Sequence, residues 1–239
     1  MKVLKGIGKV ALSIIIVLSI LFLSFGLVML LTDVILVENN YLFYEHGQIT
    51  GMFLILLVFL PAVILSLILL EKFNLVSERQ RKKNLRAVVF WQKLGAFKYI
   101  AILVYLVLFY ICFTNITVVT GDQIILKNAL NPKGEIYSYS QVEEIEVGFG
   151  DKFISCAEYQ EEGSFYYKIK LGGKEVVFSQ PTPNDITHRF GKNSYLELEE
   201  FDAKLVNLGV SKQSSDKGYE DCYYDDDIVQ RFLRIINNK

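Results

Sequence analysis

Three long apolar runs, each without a charged residue, dominate the first half of the chain. They cover residues 10–31, 51–70 and about 99–117. A helix rises about 1.5 Å per residue, so each run reaches roughly the 30 Å thickness of a bilayer's hydrocarbon core. The pattern therefore predicts three transmembrane helices. The first run is longer than the apolar core of a cleaved signal peptide, and residues 32–34 offer no small-residue cleavage site, which favours a retained helix.

Proline interrupts the second run. Pro61 lies near its middle and predicts a kink, because proline leaves one carbonyl of the preceding turn without its helical donor. Membrane helices tolerate this when a neighbouring helix or a hydroxyl supplies the missing hydrogen bond, and Ser66 is a candidate donor. Intramembrane ionisable groups usually mark ion paths and proton relays, so their absence from all three runs disfavours an ion-coupled transporter.

From Ile116 onward the apolar positions form short segments separated by turn residues, as in an antiparallel sheet. Seven strands are predicted, at 116–120, 123–129, 134–140, 143–149, 152–158, 165–171 and 174–180. Tyr167, Ile169 and Leu171 alternate with more polar neighbours, which indicates one buried and one solvated face. The glycine pair at 172–173 predicts a tight hairpin turn.

An amphipathic helix is predicted after the strands. Ser194 and Glu197 have the spacing of a capping box, and Gly209 supplies a helix stop. An apolar stripe between them repeats at three and four residues: Leu198, Phe201, Leu205 and Leu208.

The remaining residues, 210–239, are expected to form a polar linker and a short C-terminal amphipathic helix. The linker, SKQSSDKG at 211–218, is expected to be mobile. The acids at 225–227 suit the start of a helix better than a calcium site, because basic residues follow at its end. The apolar face of this helix would consist of Ile228, Phe232 and either Ile235 or Ile236.

Charge is distributed unevenly and predicts the side of the membrane on which each segment lies. Residues 1–118 hold 11 basic and 5 acidic residues, a net charge of +6, whereas residues 119–239 hold 14 and 21, a net charge of −7. The loop at 71–98 carries eight basic residues against two acids, and such loops stay cytoplasmic. The loop at 32–50 carries three acids and no Lys or Arg, so it is expected outside. Three spans then place the C-terminal half outside as well.

Two further predictions concern partners of the segments outside the spans. Tyr41, Phe43 and Tyr44 of the 32–50 loop suit an aromatic belt at the membrane interface. The acidic second half argues against nucleic acid as a partner, since phosphate binding requires clustered Lys and Arg.

Catalytic and metal-binding signals are absent from the sequence. The two histidines, His46 and His188, fall in separate segments, and no nucleophile elbow, HExxH motif, P-loop or Cys-x-x-Cys motif occurs. We therefore expect a non-enzymatic protein with no catalytic, cofactor-binding or metal-binding residue. Three cysteines are too few for a disulfide framework, but Cys156 and Cys222 in the acidic half can pair if that half faces an oxidising exterior.

Seven short antiparallel strands followed by one amphipathic helix is the layout of pleckstrin-homology (PH) domains. The run ITVVTGDQIILKNALNPKGEIYSYSQVEEIEV at 116–147 resembles the opening hairpins of bacterial PH-like domains, which are often fused to membrane helices. A recurring strand junction of that pattern is matched by Tyr139, Ser140, Val142 and Ile145. The resemblance covers residues 116–209. It implies a seven-stranded antiparallel barrel capped by one amphipathic helix.

Members of this family bind different ligands, so the resemblance carries over no binding residue. Its phosphoinositide-binding members gather Lys and Arg around the first hairpin turns, where this chain has Gly121, Asp122 and the single Lys133, which argues against phosphoinositide binding. Membrane-attached PH-like domains are often cytoplasmic. The charges of the loops predict the opposite side, and we give them precedence because each loop agrees with its neighbour.

Together these patterns predict a three-helix transmembrane region at 1–115, a PH-like β domain at 116–209 and a C-terminal segment at 210–239. The leading functional hypothesis is a multi-pass bacterial membrane protein whose β domain binds a protein or peptide partner along an edge strand. The alternative is an accessory or regulatory subunit of a membrane transport or export complex that acts through its transmembrane helices.

Overall fold

The computed structural model describes residues 2–37, 40–73, 75, 82–84, 93, 95–150, 153–154, 159–160, 162–178 and 194–238. The chain divides into two compact units. A helical unit comprises Met1–Ile35 and Met52–Phe113, and a second unit, the β domain, comprises Leu36–Gly51 and Thr114–Lys239. The β domain thus draws on chain segments from both sides of the second and third apolar runs.

Three apolar helices are long enough to cross a membrane, as predicted. They are α1 (Lys2–Leu31), which continues into a π-helical turn at Thr32–Leu36, α2 (Gln48–Lys72) and α3 (Phe97–Thr114). The third helix ends at Thr114 instead of at the predicted residue 117. The β-branched residues after Asn115 belong to a strand, where branched side chains pack well.

Helix α2 runs through Pro61 without ending. The carbonyl deprived of its helical donor is that of Leu57, four residues earlier, and it accepts a 2.8 Å hydrogen bond from the Tyr105 hydroxyl of α3. The other candidate donor, Ser66, does not fill this role, because its hydroxyl donates to the Ala62 carbonyl at 2.7 Å. A neighbouring helix therefore supplies the missing bond.

Sheet 1 consists of β1 (Tyr41–His46), β2 (Ile116–Thr120), β3 (Gln123–Lys127) and β4 (Glu135–Ser138), paired antiparallel in that order. Strand β1 comes from the segment between the first two apolar helices, which the sequence predicted to be a loop. It pairs with β2 in a register that sets Tyr44 opposite Val118 and His46 opposite Ile116.

The aromatic side chains of β1 do not form the predicted interfacial belt. Tyr41, Phe43 and Tyr44 are all buried. The Phe43 ring lies 5.3 Å from the Phe178 ring and 5.7 Å from the Phe201 ring, so it belongs to the core of the β domain. Burying aromatic surface against a sheet and a helix is the physical reason that this segment forms a strand.

Sheet 2 consists of β10 (Ser211–Ser215), β5 (Val142–Phe149), β8 (Phe165–Leu171) and β9 (Lys174–Phe178) in that spatial order. A separate two-stranded pair is formed by β6 (Phe153–Ile154) and β7 (Tyr159–Gln160). Strand β10 runs parallel to β5, which corrects the prediction of a mobile polar linker at 211–218. As an edge strand it keeps one face in water and needs no apolar residues.

Eight of the ten described strands therefore form two open four-stranded sheets, and the described strands do not show the predicted seven-stranded barrel. The strands added at the sheet edges, β1 and β10, both lie outside the predicted domain limits. The predicted alternation in β8 is confirmed, because Tyr167, Ile169 and Leu171 are at most 1% exposed.

Two helices pack against the sheets: α4 (Ser194–Asn207) and α5 (Asp226–Asn237). Gly209, with φ of 78°, ends α4 in the predicted way, and Val210 N–H donates to the Leu205 carbonyl in a Schellman motif. Leu208 departs from the predicted stripe, because it follows the last helical residue and is 57% exposed. In α5 the ring of Phe232 stacks on that of Phe165 at 4.1 Å, which fixes the helix on sheet 2.

Candidate functional site

An open groove of about 560 Å³ lies at one end of the β domain, between the ends of β2 and β3 and strand β9. Its lining includes the first turn of α2, the residue between α3 and β2, and both sheets. Representative lining residues are Gly47, Thr50, Asn115, Thr117, Leu126 and Val176. The volume is in the range of natural ligand pockets, but the groove is elongated along a strand and open to solvent.

Hydrogen bonds fix the end of the β domain at which this groove lies. Gly47 N–H donates to the Asn115 carbonyl at 3.3 Å, and the Thr50 hydroxyl donates to the Gly47 carbonyl at 2.8 Å. The residue pair His46–Ile116 closes the β1–β2 ladder next to them. The start of α2 and the start of β2 are therefore tied together at one end of sheet 1.

Strand β9 gives the groove its most distinctive wall. It is the last strand of sheet 2, and no described strand pairs with its outer edge. One face of β9 is anchored in the core by Val176 and Phe178. An edge strand carries a row of backbone donors and acceptors that another extended chain can pair with. The outer edge of β9, with its backbone donors and acceptors, therefore lies beside a groove wide enough to hold side chains.

Charge at the groove is largely neutralised within the β domain. Lys174 forms a 2.6 Å ion pair with Glu135, whose carboxylate also accepts a 2.7 Å hydrogen bond from the Tyr137 hydroxyl. The hydrogen bond from Lys174 lowers the pKa of Glu135, and the same bond raises the pKa of Lys174. Lys127 is only 8% exposed, and its stem lies against Gly134 of the following loop. The charge of Lys174 at the groove is therefore offset by Glu135 within the β domain.

A buried charged cluster in the described part of the β domain lies away from the groove. Asp202 and Lys212 form a 2.7 Å ion pair whose side chains are 1% and 4% exposed. Asp202 also accepts hydrogen bonds from the Tyr167 hydroxyl at 3.0 Å and from the Asn238 amide at 2.8 Å. Lys212 Nζ donates to the carbonyls of Ile235 and Asn238, at 2.6 and 2.9 Å.

This cluster is best explained as a structural clasp. It joins α4, β8, β10 and the carbonyl end of α5, where a cation complements the helix dipole. Burial raises the pKa of the Tyr167 hydroxyl well above its usual range and lowers the pKa of Lys212. Because every polar atom faces another protein group, nothing is left to contact a substrate.

Residues that the sequence singled out do not assemble into a reactive site within the described part of the chain. No three His, Cys, Asp or Glu side chains there lie in an arrangement that could hold a metal ion. Asp226 and Asp227 form the first turn of α5. His46 lies in β1, whereas His188 lies outside the described residues.

Two of the three cysteines, Cys112 and Cys222, lie in the described part of the chain. Cys112 is a buried free thiol in α3, and Cys222 is a half-buried free thiol. Cys156, the partner that the sequence suggested for Cys222, lies outside the described residues.

Sequence reasoning predicted a binding role for an edge strand, which remains a prediction, and it did not identify the groove. Its lining comes from four separated stretches near residues 47–50, 115–117, 126–128 and 174–177. Only the glycine pair at 172–173, which predicts the hairpin leading into β9, gave a local signal. The contribution of the first two stretches depends on the β1–β2 pairing, which no local pattern predicts.

Comparison of the chain with protein-family models, with curated proteins and with solved structures gives no match.

Proposed function

We propose that this chain is a non-enzymatic multi-pass membrane protein whose β domain binds an extended protein or peptide segment in the groove beside β9. The observation that carries the proposal is the groove itself, which runs along an edge strand that no other described strand pairs with on its outer side and whose lining residues are mostly uncharged. Addition of a strand to an exposed sheet edge is a common mode of peptide recognition. Main-chain hydrogen bonds supply affinity, and alternate side chains enter the space between the sheets.

We further propose that the β domain is a divergent relative of bacterial PH-like domains. In support, three of the four residues that carry the sequence resemblance are core residues: Tyr139, Val142 and Ile145 are each at most 5% exposed. The helix that follows the strands is α4, at the place the resemblance implies. In this proposal, the additional edge strands β1 and β10 distinguish the domain from the family's closed barrel.

The proposed topology places the basic loop at 71–98 in the cytoplasm and the β domain outside the cell membrane. Strand β1 lies just before α2, and β2 lies just after α3. Their pairing supports a topology with both strands on one side of the bilayer, in which α2 crosses the membrane and α3 returns. The eight basic residues between those helices support a cytoplasmic location for this loop.

Selection of peptides against the full chain in lipid nanodiscs tests the proposed binding site. Random peptides are displayed, and binders are re-tested on two variants, Thr117→Arg in the groove and Ser215→Arg on the opposite edge strand β10. We expect extended binders whose affinity falls about tenfold or more with Thr117→Arg, because the long side chain enters the groove. The matched Ser215→Arg change should leave binding intact.

Two results would contradict the proposal. One is a set of binders that is insensitive to Thr117→Arg, and the other is binding that depends on Ser215 instead. The second result would transfer the docking edge from β9 to β10.

A second candidate function is that of an accessory subunit of a membrane transport or export complex. The observation that favours it is the sparse packing of the first span, of which only 6% is buried within the chain, against 28% for the second. A helix with so few contacts inside its own chain leaves most of its surface accessible for packing against the transmembrane helices of a partner. Co-purification in mild detergent distinguishes the two candidates, because a multi-spanning partner supports this one and a soluble or extended partner supports the groove.

A further inference from the structure

The loop between β3 and β4 presents a leucine to solvent almost completely. Leu130 is 98% exposed. Its neighbours in the loop, residues 128–134, are held by hydrogen bonds: the Asn128 side chain accepts from the N–H groups of Leu130 and Asn131, at 3.0 and 2.9 Å. Gly134 N–H donates to the Asn131 carbonyl at 3.1 Å. The leucine is therefore presented on a fixed turn.

The strand register identifies the end of sheet 1 at which this loop lies. Lys127, the last residue of β3, pairs with Ile116, the first residue of β2, and Ile116 pairs on its other side with His46. Helix α2 begins two residues after His46, and α3 ends two residues before Ile116. The loop thus extends from the end of the sheet at which the chain connects to two apolar helices.

The length of α3 indicates how close to the hydrocarbon of the bilayer this end of sheet 1 lies. Its 18 residues span roughly 27 Å, slightly less than the hydrocarbon thickness of a bilayer. When α3 spans a bilayer, Thr114 lies near the edge of the hydrocarbon, and strand β2 begins two residues later. Three residues beyond Lys127, the loop tip can extend about 10 Å from the sheet end, which is comparable with the depth of the head-group layer.

The composition of the loop suits that location. The sequence NALNPKG at 128–134 contains Lys133 and no acid, and Glu135 immediately after it is paired with Lys174. Ile136, in the strand that follows, is also 61% exposed. An apolar tip beside a basic residue is typical of segments that rest in the boundary between head groups and acyl chains of anionic membranes.

We propose that Leu130 inserts into the interfacial layer of the bilayer that the apolar helices cross, so that the β3–β4 loop fixes the β domain against the lipid surface. This contact orients the groove beside β9 at a constant height above the membrane. The inference requires that α2 and α3 span a bilayer, but it does not depend on peptide binding or on which side the domain lies.

Lipid-borne quenching tests the insertion directly. In the full chain, with Cys112, Cys156 and Cys222 replaced by serine, a single cysteine is introduced as Leu130→Cys or as Asp122→Cys. Asp122 lies in the exposed β2–β3 turn at the opposite end of sheet 1. Each cysteine is labelled with bimane, and the protein is reconstituted in nanodiscs of phosphatidylcholine and phosphatidylglycerol, with and without a nitroxide near the top of the acyl chain.

We expect roughly twofold quenching and a blue-shifted emission at position 130, with no quenching at position 122. Both positions are exposed, so the labels do not disturb the core. Absence of quenching at position 130 would overturn the proposal, as would equal quenching at both positions, because the loop would then have no specific depth. Aqueous iodide provides a second measurement and should quench bimane at position 122 more strongly than at position 130.

Discussion

Breaking the buried ion pair between Lys212 and Asp202 should unfold the β domain at a markedly lower temperature. The perturbation is Lys212→Met, which keeps the length and apolar stem of the side chain but removes the ammonium group. Asp202 would remain 1% exposed and would lose its closest partner, at 2.7 Å. The carbonyls of Ile235 and Asn238 would lose the cation that caps the end of α5.

The expected magnitude follows from the burial of the pair. Removing one partner of a buried ion pair costs about 3–5 kcal/mol, because the remaining charge has no compensation in a region of low dielectric constant. For a domain of this size that cost lowers the melting temperature by roughly 10–15 °C. The hydrogen bonds from Tyr167 and Asn238 to Asp202 remain and keep the loss near the lower end.

A double-mutant cycle separates the charge effect from simple loss of packing. Asp202→Asn removes the stranded charge, so the double variant should be more stable than the sum of the two single changes by about 2 kcal/mol. The matched control is Lys174→Met, which removes the same group from the exposed pair with Glu135 and should leave the melting temperature almost unchanged.

Thermal unfolding of the full chain in detergent, followed by near-ultraviolet circular dichroism of the tyrosines, measures the four variants and the unchanged protein. The reasoning would be refuted if Lys212→Met and Lys174→Met had the same melting temperature. It would also be refuted if the effects of Lys212→Met and Asp202→Asn on stability were additive in the double variant. Either result would mean that the charged pair is solvated or that the clasp contributes nothing to the fold.

Three other changes test separate parts of the fold. Burial raises the pKa of Tyr139, so above about pH 10 the folded domain keeps a proton that the unfolded chain loses. The free energy of unfolding should therefore decrease above pH 10 by up to about 1.4 kcal/mol per pH unit from this group. In melts from pH 9 to 11, the stability of Tyr139→Phe should decrease less steeply than that of the unchanged protein. Tyr105→Phe removes the donor to the Leu57 carbonyl and should destabilise the helical unit by about 1 kcal/mol in unfolding titrations with a denaturing detergent. Phe43→Ala should cost the β domain about 3–5 kcal/mol in melting experiments, whereas Phe53→Ala, at a site 55% exposed on α2, should cost far less; equal effects would argue against β1 as a core strand.

The parts of the fold that sequence predicted correctly are those with local periodicity. The apolar helices follow from uninterrupted apolar runs, and β8 follows from strict alternation of buried and solvated residues. Helix α4 follows from its stripe and from Gly209, whose positive φ ends it. In each of these cases the burial pattern is set by neighbours within one turn or one hairpin.

The parts that sequence missed depend on partners far along the chain. Strand β1 has consecutive aromatic residues between two membrane-length runs, and only its pairing with β2, some 70 residues later, distinguishes a strand from an interfacial belt. Strand β10, sequence SKQSS, has no apolar residue at all and is stabilised by its backbone ladder with β5 and by buried Lys212. The groove was missed for the same reason, since two of its walls exist only when β1 has joined β2.

Formation of a disulfide between β1 and β2 tests the central claim, that the segment between the first two apolar helices completes the sheet of the C-terminal domain. Glu45 and Thr117 are directly opposed in the register and half-buried. Opposed residues of an antiparallel pair have Cα atoms about 4.5–5.5 Å apart, within the range that a disulfide bridges. The pair Glu45→Cys and Thr117→Cys, in the full chain without its native cysteines, should therefore link rapidly on mild oxidation in native membranes. The control pair, Glu45→Cys and Gln123→Cys, puts the second cysteine at the far end of β3 and should stay reduced. Absence of the first link, or equal linking of both pairs, would contradict the account.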